Sequence, residues 1–174
     1  MRDMVLSLGV VLAVVAIVFL ITLRQTPEAV KVIDAGPVLQ AVQVNAPYPA
    51  VVPGTIEGWR ITSARVSAPG ESPFRWHVGY FTSTDRYAAA GQSSGSKQAY
   101  LNDERAGGTE VGTVRINGTT WTKIEREDGA RRSLVRSADG VTTLVTGGGD
   151  FDELATLAKT LRPVKAAASP TPSS

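Results

Sequence analysis

The stretch "RRSLVRSADGVTTLVTGGGDFDELATLAKTL", residues 131–161, decides the fold. Two β-prone arms flank Asp139-Gly140, a pair of residues that both tolerate positive φ and so close a two-residue hairpin. Strands joined that way are antiparallel. Phe151, Leu154, Ala155, Ala158 and Leu161 then recur at helical spacing, with Leu157 beside them, and Pro163 stops the pattern. Between hairpin and helix stand Gly147, Gly148 and Gly149, in the place where a phosphate-binding loop would lie. The chemistry argues against an anion. Asp150, Asp152 and Glu153 put three carboxylates in the first helical turn, and no Lys or Ser/Thr follows as a P-loop requires. Asp150 and Glu153 have the spacing of a capping box, in which the Asp oxygen accepts from the N3 amide and the Glu reaches back. The glycines read as a sharp connection between a strand and a capped helix.

Working towards the N-terminus, "VRINGTTWTKIE" (114–125) repeats the hairpin signal at Asn117-Gly118. "SKQAYLNDERAG" (96–107) reads as a short helix ending at Gly107-Gly108, and "RYAAAGQ" (86–92) as a strand. In "FRWHVGYFT" (74–82), Phe74, Trp76, Val78 and Tyr80 alternate with Arg75, His77, Gly79 and Phe81, the period of a half-buried strand. "WRITSARV" (59–66) is its partner across the loop "SAPGESP". "APYPAVVPGTIEGW" (46–59) carries three prolines and two glycines and must run extended or turning, whereas "VLQAVQVN" (38–45) fits two helical turns. The expected class is α+β: an antiparallel sheet of six or seven strands packed by helices.

The N-terminus has a different solvent in view. Residues 4–23, "MVLSLGVVLAVVAIVFLITL", are twenty positions without a charge, between Arg2-Asp3 and Arg24. As a helix they would extend about 30 Å, the thickness of a bilayer's hydrocarbon core. No polar stripe marks a soluble amphipathic helix, and the run is too long and lacks the small-x-small site of a cleaved signal peptide. Flanking charges do not decide the orientation, because Arg2 precedes the run while Arg24 and Lys31 follow it. Gly9, Ala13 and Ala16 offer a small-residue face to another helix. The expected division is 1–3 in the cytoplasm, 4–23 across the membrane, 24–36 as a stalk, 37–163 as the α+β domain, and 164–174, "VKAAASPTPSS", as a disordered tail.

Charge and composition narrow the functions. Eighteen Lys and Arg against sixteen Asp and Glu leave +2, too little and too dispersed for nucleic-acid binding. The absence of cysteine removes disulfides, thiolate metal sites and Cys nucleophiles. His77 is the single histidine, lies on the less apolar face of its strand, and has no acid close to it in sequence, so it reads as a solvated or hydrogen-bonded strand residue. Asp103-Glu104, and Glu125, Glu127 and Asp128 among Lys123, Arg126, Arg131 and Arg132, read as mixed-sign surface pairs. Asn117-Gly118-Thr119 matches a glycosylation acceptor, but the turn alone accounts for Asn-Gly. Trp59, Trp76 and Trp121 read as core residues, with exposure of one as a binding platform the alternative. No residue is singled out as catalytic, cofactor-binding or metal-ligating.

"RDMVLSLGVVLAVV", "APYP" followed by "EGW", "WHVGY", "RRSLVR", "GVTTLVTG" and "FDELATLA", in that order, resemble the actinobacterial domain of unknown function 4245 family from Arg2 to Leu161. The local text "GTIEGW" departs from the "LPEGW"-like form usual there. The resemblance implies a single-pass anchor in the cytoplasmic membrane with the domain outside, and it brings no catalytic residues. The order of sheet and terminal helix also looks like Mog1/PsbP-type modules. The functional expectation is a non-enzymatic binding or accessory module of the cell envelope. It would be tied to membrane lipid through residues 4–23, with an envelope protein as a possible partner and no cofactor. The alternative is an envelope hydrolase, or a carrier of a small apolar ligand held between sheet and helix.

Overall fold

The computed structural model describes residues 9, 11–19 and 32–164. The chain divides into two units, Met1–Lys31 and Val32–Ser174. In the first, residues 11–19 form a helix, α1, whose apolar side chains, Val11, Leu12 and Phe19 among them, are exposed. Among the described residues no helix is long and apolar enough to cross a membrane. The rest of the expected span, most of the stalk and the tail from residue 165 lie outside the described residues.

The second unit is built as α2 (Gly36–Asn45), β1 (Val51–Val52), β2 (Arg60–Val66), β3 (Arg75–Phe81), β4 (Tyr87–Ser93), α3 (Lys97–Asp103), β5 (Thr109–Ile116), β6 (Thr119–Glu125), β7 (Arg132–Ala138), β8 (Val141–Gly147), α4 (Phe151–Thr160) and β9 (Arg162–Pro163). It is α+β, as expected. Seven strands form one antiparallel sheet in the order β2-β3-β4-β8-β7-β6-β5, and β1 pairs with β9 in a separate two-stranded ribbon. Two meanders, β2–β4 and β5–β8, meet along β4 and β8, because α3 carries the chain from the sheet's middle to its far edge before the second meander returns.

The turns follow the sequence. Asn117 and Gly118 have φ of 48° and 77°, Asp139 and Gly140 51° and 75°, the double positive φ of two-residue hairpin turns. Pro37 is accommodated in the first turn of α2, where its missing N–H has no intrahelical partner to lose. The chain already engages the domain before that helix: the Ile33 amide donates to the Ile61 carbonyl, and Ala35 is buried.

Each face of the sheet has its own core. Leu134 and Val135 are consecutive, so they point to opposite sides. Leu134 joins Trp76, Val78, Val145, Leu154 and Leu157 in a large cluster beneath α2 and α4. Val135 joins Tyr100, Leu101, Ala106, Ile124 and Leu144 beneath α3. Fully burying a Leu of this kind contributes about 1.5–3 kcal/mol relative to leaving it exposed. The second cluster corrects the expectation of a half-buried strand at 74–82. In β3 every residue from Trp76 to Tyr80 is buried, because α3 covers the side that the alternation assigned to solvent. That helix is also shorter than 96–107: it ends at Asp103, and Arg105 takes a φ of 52° as the chain turns away.

Candidate functional site

The densest gathering of titratable groups lies on the α3 side, around His77. In register, His77 stands between Arg65 of β2 and Gly91 of β4. It is 7% exposed. Its Nδ1 lies 3.0 Å from Oε2 of Glu104, the residue that caps the C-terminal end of α3. Its Nε2 lies 2.9 Å from the Tyr87 hydroxyl at the start of β4. Tyr87 reaches the histidine by lying across Gly79, where a Cβ would stand 2.7 Å from the phenol oxygen and also overlap the Ser63 hydroxyl. Gly91 serves the same purpose for Tyr100, which packs on the sheet one strand position away. Two glycines thus leave a trough in which two phenols lie.

The surroundings set the charges. Burial pushes the Glu104 carboxyl up, but the hydrogen bond and charge of His77, with the fields of Arg65 and Arg131, outweigh it and hold the group below the usual carboxylate range. Arg131 also donates to the Glu104 carbonyl at 3.0 Å, fixing the end of α3. Burial pushes the Tyr87 phenol up, against a lowering hydrogen bond from Ser63. At the rim, Arg75 donates to Asp103 at 2.8 Å. A cleft of about 360 Å³ opens beside these groups, with Arg65, Glu71 and Ser67 on its walls.

Carboxylate, imidazole and phenol in a row can relay a proton. Here both ring nitrogens are engaged inside the chain, Nδ1 with Glu104, which orients the ring, and Nε2 with the Tyr87 hydroxyl. Among the described residues no group of three or more His, Asp and Glu could hold a metal ion. The sequence left His77 as a solvated or hydrogen-bonded strand residue; it is buried and hydrogen-bonded through both ring nitrogens. Sequence reading missed Glu104 and Tyr87 because both arrive from other elements; the usable signal was the pair of glycines, Gly79 and Gly91, inside β-prone runs.

The remaining singled-out residues are structural. Asp150 Oδ1 accepts from the Glu153 amide at 2.8 Å, the expected cap. The reciprocal half of the capping box does not form: Glu153 Oε1 accepts instead from the Thr84 hydroxyl at 2.6 Å, tying the β3–β4 loop to α4. Arg132 pairs with Glu125 at 2.7 Å and Arg126 with Asp128, the surface pairs foreseen. Trp76 and Trp121 are core residues at 1% and 4% exposure, while Trp59 is partly buried, edge-on to Tyr80 at 5.9 Å. The Asn117 side-chain amide donates to the Lys159 carbonyl at 3.0 Å.

No curated protein and no solved structure matches the chain. The family model described as a protein of unknown function (DUF4245) matches residues 1–161, nearly the whole chain, and this protein belongs to that family.

Proposed function

We propose that the protein is a single-pass, membrane-tethered module of the cell envelope, whose domain lies outside the cytoplasmic membrane and acts by binding a partner. The tether is supported by the charge-free run 4–23. The observation that carries the binding role is the cleft of about 360 Å³ beside His77, walled by Arg65, Ser67 and Glu71. The test is fractionation and surface proteolysis in the native host. The chain should sediment with membranes and resist carbonate extraction, and protease added to spheroplasts should remove the domain. Recovery as freely dissolved protein, or a domain untouched by protease, overturns the tether.

A second reading, hydrolysis, is favoured by the way the same cleft brings Glu71, Asp103 and Glu104 near His77. Turnover of an ester or glycoside by the purified chain, abolished by His77→Gln, would establish it over the binding reading.

A further inference from the structure

The opposite face of the sheet holds a groove of different chemistry. Beyond the C-terminal end of α4, the β1–β9 ribbon arches over the sheet, held by Val51↔Pro163 pairing and by the Val51 amide donating to Gln92 Oε1 at 2.9 Å. Beneath it lies a cavity of about 180 Å³, whose apolar wall is Val51, Ile116, Trp121, Ala158, Leu161 and Pro163. A second space of about 220 Å³ shares Val51, Arg136, Thr143 and Pro163 with it.

The polar lining of the first cavity contains donors and no carboxylate. Its polar members are Asn117, Thr119, Arg136 and Thr143. The Asn117 amide is spent on the Lys159 carbonyl. Thr143 accepts from Gln92 Nε2 at 2.9 Å, which leaves its own hydroxyl proton to donate. Arg136 lies opposite Thr143 in register and is partly buried. Arg132, four residues back on the same face of β7, pairs with Glu125, but Arg136 has no hydrogen-bond or ion-pair partner among the described residues. Its guanidinium is free to pair with a ligand, and the planar fork suits a carboxylate or phosphate. The only acid in the adjoining space, Asp139, sits in the β7–β8 turn and makes no ion pair with it.

We propose that this groove binds a small amphipathic anion, a single carboxylate or phosphate head carrying a short unbranched apolar chain. The head pairs with Arg136 and accepts from Thr143 and Thr119. The chain lies against Trp121, Ile116 and Leu161, under the β1–β9 ribbon. Free fatty acid and anionic membrane lipid share this chemistry. The proposal rests on the reading of the domain as a binder, and gives that reading a ligand class.

The test uses the full chain in phosphatidylcholine nanodiscs, with octanoate as probe and calorimetry plus Trp fluorescence as readouts. Saturable octanoate binding is expected, and octan-1-ol should bind roughly tenfold more weakly or worse, since it offers Arg136 no charge to pair with. Arg136→Gln should reduce octanoate affinity to the level of the alcohol while leaving the alcohol's affinity unchanged. Absence of saturable octanoate binding to the unmodified chain overturns the proposal, as does equal binding of acid and alcohol, and neither outcome depends on how the variant folds. Deleting residues 165–174 should leave the affinity unchanged; a large gain would mean that the chain's own tail fills the groove, and also overturns it. Replacing phosphatidylcholine with phosphatidylglycerol separates the two sources: competition with octanoate supports a membrane lipid, undiminished binding supports a free acid. Fractionation tests the tether separately, so loss of one conclusion does not carry the other with it.

Discussion

Glu104, at the end of α3, sits 3.0 Å from the Nδ1 of His77 in the middle of β3, and so pins that helix to the sheet's second strand. Glu104→Gln keeps an oxygen for the imidazole N–H but removes the charge, and is expected to cost about 1 kcal/mol of stability near neutral pH. The pH dependence has a definite sign. Folding lowers the Glu104 pKa, so in the acid range the native state binds fewer protons than the unfolded chain. The contribution is complete above the unfolded carboxylate range and is lost as pH falls through the lower native value. Urea unfolding followed by Trp fluorescence should show a clear gap between wild type and Glu104→Gln at about pH 7 that narrows by about pH 3.

Gly79 and Gly91 are required by what lies on them, and the two should differ in severity. At Gly91 a Cβ would stand 2.5 Å from the Trp76 carbonyl oxygen and from the Tyr100 hydroxyl, and the first of these is backbone in a central strand. At Gly79 the obstacles are side chains, Ser63 and Tyr87. Gly91→Ala is expected to lose about 3 kcal/mol or more, and Gly79→Ala about 1–2 kcal/mol. Only Gly79→Ala should also detach Tyr87 from His77, seen as a changed His77 ring resonance by NMR. Equal losses at the two sites would mean that the backbone contact at Gly91 is relieved by a shift of the strand.

These residues also show how far the sequence could be read. Local signals were sufficient for the hairpins at Asn117-Gly118 and Asp139-Gly140, for the cap at Asp150, and for the periodicity of α4, because each is settled by neighbours within a few positions. The seven-stranded sheet followed by adding those pieces. What stayed hidden was set by distant chain. Nothing near Arg75–Phe81 says that a helix will cover its polar-looking face, so His77 and Gly79 read as solvent-facing although both are buried. Glu104 reads as half of an exposed acidic pair until α3 is placed over β3. The β1–β9 ribbon is two residues long on each side, too short for any periodic signal, and with it the Arg136 groove was invisible.

The cap of α4 gives a prediction that separates two carboxylates. Asp150 satisfies an orphan amide at the helix start, whereas Glu153 holds the Thr84 hydroxyl. Asp150→Asn should be nearly neutral, since Asn caps as well, and Asp150→Ala should cost about 1 kcal/mol. Glu153→Gln keeps an oxygen for Thr84 and should be mild. Were Glu153 completing a capping box instead, Thr84→Val would leave stability unchanged; the observed bond predicts a loss of about 0.5–1.5 kcal/mol for that variant. Denaturant midpoints for the four variants distinguish the cases.

Asn117 carries two separable duties, and a pair of substitutions can resolve them. Its backbone sits at φ 48° in the β5–β6 turn, and its side chain donates to the Lys159 carbonyl near the end of α4, where helix carbonyls lack intrahelical partners. Asn117→Gly keeps the positive φ without penalty and removes the side-chain bond, so it should cost about 0.5–1.5 kcal/mol. Asn117→Ala removes the bond and forces a Cβ into the left-handed region, adding about 1–2 kcal/mol. The expected order of stability is wild type, then Gly, then Ala. If Gly matched wild type, the link from hairpin to helix would contribute nothing and the turn alone would explain this residue. Thr119, the third residue of the acceptor pattern, provides the control: Thr119→Val abolishes the pattern but leaves both the turn and the Lys159 bond, and should therefore leave stability within about 0.5 kcal/mol of wild type.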